Sequence, residues 1–121
     1  MKPWATWFEI PATDLPRAKR FYDTIFQMDI EILDLGGLQM GIFPHGEVGA
    51  ALCRHESYRP SDTHGPLVYL NANPDLQLVL DRIGPAGGQV LRPKTQISPE
   101  HGYMAVFLDS EGNRLALHSE G

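Results

Sequence analysis

The chain has 121 residues, a net charge of −5 and a pI near 5.4, with 42% hydrophobic and 21% charged residues. This is the balance of one soluble globular domain, and no Lys/Arg cluster exceeds the short Arg17, Lys19, Arg20 group, which excludes a nucleic-acid footprint. A lone Cys53 excludes an internal disulfide and a cysteine-based zinc site, and no stretch has the apolar core of a signal peptide or a membrane span, so the expected location is cytoplasmic.

The first element, from Trp7, alternates Phe8, Ile10 and Ala12 with Trp7, Glu9 and Pro11, the period of a strand with two different faces. Thr13-Asp14 supplies a side-chain oxygen where a helix must start, and Pro16 suits a first turn that needs no amide hydrogen. Leu15, Ala18, Phe21, Tyr22 and Ile25 then follow at helical spacing. Residues 28–35 read as a strand, Gly36-Gly37 as a hairpin, 38–43 as the returning strand and 48–54 as a third. The segment 56–65 has no periodicity and reads as a linker, or as a loop at the mouth of a site.

The second half repeats the first. Asp14-Leu15 recurs as Asp75-Leu76, 61 residues later in a chain of 121. If Pro74 is an insertion, Val68, Leu70 and Ala72 match Phe8, Ile10 and Ala12, the set expected to face a helix. The other face then carries Trp7 and Glu9 in one half and Leu67, Tyr69 and Asn71 in the other. A strand over 67–71, a helix over 76–83 stopped by Gly84-Pro85, a short strand over 89–91, a loop over 92–100 and strands over 103–108 and 114–118 complete the pattern. The order is βαβββ twice: module 1 over about 4–55, a linker over 56–65 and module 2 over about 66–121, in a single domain of 1–121.

This pattern resembles the vicinal oxygen chelate superfamily of glyoxalase I, extradiol dioxygenases and bleomycin-resistance proteins. Its carriers are the strand before Asp14-Leu15, then Ala18, Phe21-Tyr22 and Phe26, then Gly87-Gly88 with Val90 and Pro93. The last is AVFLDSEGNRLAL, which has Ser110 where the family's Asp-Pro-Glu-Gly-Asn hairpin has proline. The resemblance implies an α+β fold in which two βαβββ modules form a curved mixed sheet around a cavity, commonly in a homodimer.

Metal-dependent members of the family place His or Glu at four cavity positions. Carried over by position, these are Trp7, a residue near Ala50, Leu67 (Val68 if Pro74 is not an insertion) and Ala116. None is a metal ligand, so neither a metal nor another cofactor is expected. His45, His55, His64 and His101 read as solvated loop residues, and Met28, Met40, Phe43 and Phe107 as packing. Cys53 has no adjacent His or Lys and no nucleophilic role is expected of it. Glu9 and His118 each lie two residues beyond a vacated ligand position, on the same face, and are the candidates for an acid–base pair. Trp7, Leu67, Tyr69, Asn71, Tyr103 and Ala116 are the candidate ligand contacts, with the indole offering a flat face to a planar or cationic molecule. The resulting expectation is a glyoxalase-like protein that binds a small organic molecule without the family metal. Two alternatives stand beside it: a metal-dependent lyase, isomerase or dioxygenase, and a drug-sequestering protein of the bleomycin-resistance type. Whether a reaction is catalysed is left open.

Overall fold

The order of elements in the computed structural model, which describes residues 3–121, is β1 (Trp7–Pro11), α1 (Leu15–Phe26), β2 (Glu31–Asp34), β3 (Gln39–Ile42), β4 (Gly49–Arg54), β5 (Tyr69–Asn71), α2 (Leu76–Ala86), β6 (Gln89–Ser98), β7 (Gly102–Leu108) and β8 (Arg114–Ser119). The βαβββ unit therefore occurs twice. Each copy makes its own four-stranded mixed sheet, ordered β1-β4-β3-β2 and β5-β8-β7-β6, with β1 parallel to β4 and β5 parallel to β8. No helix among the described residues is long and apolar enough to cross a membrane.

The helices begin where the side-chain chemistry places them. Asp14 caps α1 by accepting from the Arg17 amide at 3.1 Å, and Asp75 caps α2 by accepting from the Gln77 amide at 2.9 Å. Leu15, Ala18, Phe21, Tyr22 and Ile25 are the buried stripe of α1, and Leu76, Val79, Leu80 and Ile83 that of α2. The helices pack on each other, and both stripes join Ile10, Ala12, Leu52, Leu70, Phe107, Leu115 and Leu117 in one core spanning the modules. Phe21 and Phe107 stack across it, with centroids 6.2 Å apart.

Two expectations need correction. Helix α2 does not stop at Gly84-Pro85 but runs through Pro85 to Ala86. In the last turn proline costs only one backbone bond, and the amides of Gly87 and Gly88 close the end by returning to Gly84 and Ile83. Gly88 admits no side chain: a Cβ would lie 2.6 Å from the Leu108 carbonyl and 2.7 Å from the Phe21 ring. The segment 92–100 is not a loop, because most of it belongs to the ten-residue β6, whose pairing with β7 slips at three points. An edge strand with bulges can hold Pro93, which lacks a ladder donor, and edge position hides the strand from a reading based on periodicity.

The modules are locked together by the turn between β7 and β8. Asp109 accepts from the amides of Glu111 and Asn113, from Asn113 Nδ2 and from the hydroxyl of Tyr22 on α1, while Asn113 Nδ2 also donates to the Pro11 carbonyl. Glu111 reaches the other way. Its Oε1 accepts from the amides of Thr13 and Asp14 at 2.9 and 2.8 Å, and Arg17 closes on both oxygens. The turn that carries the family resemblance thus supplies a second cap to α1 from the opposite module.

Candidate functional site

Side-chain parity divides each sheet into a face under the helices and a helix-free face. On β1, Phe8 and Ile10 turn to the core, and Trp7 and Glu9 turn away. On β4, Leu52 turns to the core, whereas Ala51 and Cys53 join Met40 in a smaller cluster on the helix-free face. The register pairs Trp7 with Gly49 and Glu9 with Ala51, so the second vacated ligand position corresponds to Ala51 rather than Ala50, which lies beside Phe8 and Leu70.

Trp7 lies across the backbone of Gly49, close enough that a Cβ there would collide with the indole ring, and His45 meets it edge-on at 5.6 Å. Its Nε1 donates to Glu9 Oε2 at 3.2 Å. The other oxygen, Oε1, accepts from the hydroxyl of Tyr58 at 2.5 Å. Tyr58 comes from the segment after β4, crosses the helix-free face and packs on the Met40–Ala51–Cys53 cluster. Its hydrogen bond to Glu9, together with burial, pushes the phenol up to about 12. Burial, and then the neighbouring Glu9 carboxylate, pushes the Cys53 thiol up to about 12, so it stays protonated and is no nucleophile.

The structure does not bring Glu9 and His118 together. His118 Nε2 donates to the His101 carbonyl at 2.6 Å, and no described carboxylate oxygen lies within ion-pair distance of a histidine nitrogen. The reason is axial. Asn113, at the start of β8, is tied to Pro11, at the end of β1. Glu9 is two residues from that tie and His118 five, which at about 3.3 Å per residue separates them by about 10 Å along the strands. The parity expectation holds, but the pair does not form.

The other expected contacts divide. Ala116 is buried between Tyr69 and Val106 on the helix-free face of the second sheet, and Leu67 is half-buried just before β5. Tyr69 is half-exposed there. Asn71 is opposite His118 in the register, but its Oδ1 is occupied by the amide and side chain of Asn73. Tyr103 is on the other side: it packs against the core under the helices, with Lys94 Nζ 4.6 Å from its ring centroid. At the positions where the resemblance implies metal ligands, Trp7, Ala51, Leu67 and Ala116 offer no donor for a cation. No group of three His, Cys, Asp or Glu side chains able to hold a metal occurs among the described residues.

Between the modules, where β1 faces β5 and β8 without a shared ladder, lies a cleft of about 430 Å³. Phe8, Ile10, Val68 and Leu115 make its apolar wall, and Glu9, Arg59, Ser61, His64 and Arg114 add polar groups. A depression of about 470 Å³ on the other side of Tyr58 is lined by Ala12, Thr13, Gly37, Arg54, His55 and Glu56 as well as Tyr58 itself. Its lining is more polar than that of the cleft, with Ala12 and the Tyr58 ring its main apolar groups, and Arg54 is spent on the Thr13 carbonyl. Sequence reasoning singled out none of Tyr58, Arg59, Ser61 and Arg114 and read His64 as a solvated loop residue; the signals were the aperiodic segment 56–65, read as a linker or a loop at the mouth of a site, and its one aromatic residue.

The fold recurs in solved structures. A glyoxalase/bleomycin resistance protein from Albidiferax ferrireducens T118 is 14% identical with a TM-score of 0.75, over 98% of this chain and 100% of that one. A glyoxalase/bleomycin resistance protein/dioxygenase family enzyme from Burkholderia phytofirmans PsJN is 15% identical with a TM-score of 0.71, over 96% and 98%. Glyoxalase I from Zea mays is 16% identical with a TM-score of 0.70, and this chain, 95% covered, spans 45% of it. At these identities the likeness is one of fold. No curated protein matches the sequence. The family model of the Glyoxalase/Bleomycin resistance protein/Dioxygenase superfamily matches residues 4–117, nearly the whole of the duplicated βαβββ pattern, and the chain belongs to that superfamily.

Proposed function

We propose that this chain binds a small organic molecule in the cleft between its modules and does so without the superfamily's metal centre. The observation that carries the reading is the cleft itself. It has the size of a small-molecule site, one apolar wall, and a carboxylate, Glu9, held in place by Trp7 and Tyr58. The side chains of Ala51, Leu67 and Ala116, all carbon, and of Trp7, whose indole N–H is a donor with no lone pair to give, support the metal-free part, since a divalent ion needs N, O or S ligands. Trp7, Tyr69 and Leu33, exposed on the helix-free faces, support a homodimer, which sedimentation of the purified protein tests against a 13.5 kDa monomer.

The metal-free reading is tested by elemental analysis of protein purified without chelator and by melting scans with Zn²⁺, Ni²⁺, Mn²⁺ and Fe²⁺. An ion present at 100 times its Kd stabilises a site by about 2.7 kcal/mol, a shift of several degrees. The expected result is no stoichiometric metal and no shift. A bound ion with a matching shift would overturn the reading. The binding part is tested by the same scan with a library of small organic molecules, bleomycin among them. Stabilising compounds should lose their effect in Val68→Trp, which fills the cleft; retention of the effect would place binding elsewhere.

A further inference from the structure

We propose that the inter-module cleft is an anion site, and that its ligand carries a carboxylate or phosphate head held by Arg59 and Arg114 on an apolar body held by Phe8, Val68 and Leu115. This rests on the cleft being the binding site and adds the charge class of the ligand.

The argument starts from charge. The chain carries a net −5, yet the cleft lining presents two arginines and a histidine against one carboxylate. The ion pairs among the described residues engage Arg17, Lys19 and Lys94, and the Arg54 and Arg82 side chains reach backbone carbonyls. Neither Arg59 nor Arg114 has a side-chain hydrogen bond or ion pair among the described residues. Arg114 is the more telling of the two. It is half-buried on β8, and its amide is fixed by the Ser61 carbonyl at 3.2 Å. Its aliphatic stem packs at the cleft while the guanidinium, with no acceptor among the described residues, stays free to take one from a ligand. Arg59 is exposed on the linker that forms the opposite lip and is free to close on the same head group.

Glu9 carries its charge into this lining but is paired with neither arginine. Its two oxygens already accept from Trp7 and Tyr58, and neither arginine reaches it. It also sits along β1 from Pro11, whereas Arg114 is next to Asn113, the residue tied to Pro11. The cleft therefore presents Arg114 beside the inter-module turn and Arg59 on the linker, against an apolar wall of Phe8, Ile10, Val68 and Leu115. Ser61 and the free Nε2 of His64, whose Nδ1 is engaged with Thr63, add hydrogen-bonding groups on the cationic lip. A planar fork such as Arg114 matches a carboxylate or phosphate edge in two-point contact.

Four probes of one body and different heads test this: benzoate, phenyl phosphate, benzamide and benzylamine, titrated into ¹⁵N-labelled protein. The arginine Nε–H signals of Arg59 and Arg114 and the amides of Phe8 and Leu115 report the cleft. Benzoate or phenyl phosphate should saturate these signals, and the tighter of the two identifies the head. Benzamide and benzylamine should bind at least about tenfold more weakly, the lower bound for one charge-assisted contact. Arg59→Gln, in an exposed loop, should weaken the anion by about tenfold or more with the melting temperature unchanged. Arg114→Lys keeps the charge and loses the fork, and should fall between wild type and Arg59→Gln. Probes that bind the cleft regardless of head, or an Arg59→Gln protein that binds the anion as well as wild type does, would overturn the anion site and leave the cleft as a neutral one. If no probe disturbs the cleft signals, the binding reading falls with it.

Discussion

Replacing Asp109 by alanine should destabilise the protein by about 3–5 kcal/mol, the range for removing one member of a buried charged network. The carboxylate is 4% exposed and accepts four hydrogen bonds: the Glu111 and Asn113 amides on Oδ1, and Tyr22 Oη and Asn113 Nδ2 on Oδ2. Truncation leaves the Tyr22 hydroxyl and the Glu111 and Asn113 amides without an acceptor, while Asn113 Nδ2 keeps only the Pro11 carbonyl, and Tyr22 is fully buried. Burial holds the Asp109 carboxyl above its usual range and the four donors oppose that shift, so the charge is tolerated rather than favoured. Asp109→Asn should consequently cost less than alanine: it restores one acceptor oxygen but turns an NH₂ toward donors. In a thermal melt at neutral pH the alanine protein should lose more than 10 °C, at about 4 °C per kcal/mol for a chain of this size. A loss under 3 °C would mean that the turn is not the inter-module lock.

How much of this could be read from the chain depends on the range of the interaction. Strand β1 and helix α1 were legible because their signals are local: a two-residue alternation, an aspartate cap and a proline in the first turn. The second copy was legible by comparison with the first. Strand β6 was not, since Pro93 and three register slips erase the alternation and only pairing with β7 reveals a strand. The candidate site was legible only in parity. Sequence places Trp7 and Glu9 on one face and Ala116 and His118 on the corresponding face of the second sheet. It carries no information about how far one sheet is displaced along the other, and that displacement separates Glu9 from His118. Tyr103 failed differently, because it shares a strand face with Ala105 and Phe107, both wholly buried in the core. Tyr58 reaches Glu9 across 49 residues from a segment without periodicity, a contact that no window of sequence encodes.

The duplicated architecture also explains why the site's chemistry can change without the fold changing. The two modules are held by the shared core under the helices and by the Asp109–Asn113 turn, and of those residues Ile10, Leu115 and Asn113 also line the cleft. The helix-free faces contribute little to that core, so exposed residues there, such as Trp7 and Tyr69, can change with little effect on the scaffold. The same separation predicts that substitutions at Arg59 change binding and not stability, whereas those in the turn change stability first.

Glu111 makes that lock sensitive to acid. Burial works against its charge, but Arg17, the Asp14 amide, Thr13 and Ser110 outweigh burial and draw the carboxyl from 4.5 down to about 2. A folded-state value below the unfolded one means that ionised Glu111 stabilises the native state above about pH 4.5, and that this stabilisation disappears as pH falls through 2. Asp109, raised by burial, has the opposite slope: its native form is favoured by protonation, so it does not add to acid unfolding. Arg17 is half-exposed, at 46% of its side chain, which screens the pair. After that discount the contribution of Glu111 is about 2 kcal/mol at neutral pH. Glu111→Gln keeps one acceptor oxygen for the Thr13 and Asp14 amides, and removes the charge together with the second oxygen that serves Arg17 and Ser110. Urea melts of both proteins from pH 7 to 2 should show a gap of about 2 kcal/mol at pH 7, narrowing below pH 4.5 and closing near pH 2. Taking the difference between the two proteins removes the background titration of Asp109, which both share. A gap that stays constant with pH would assign the loss to altered geometry in the turn and not to the carboxylate's charge.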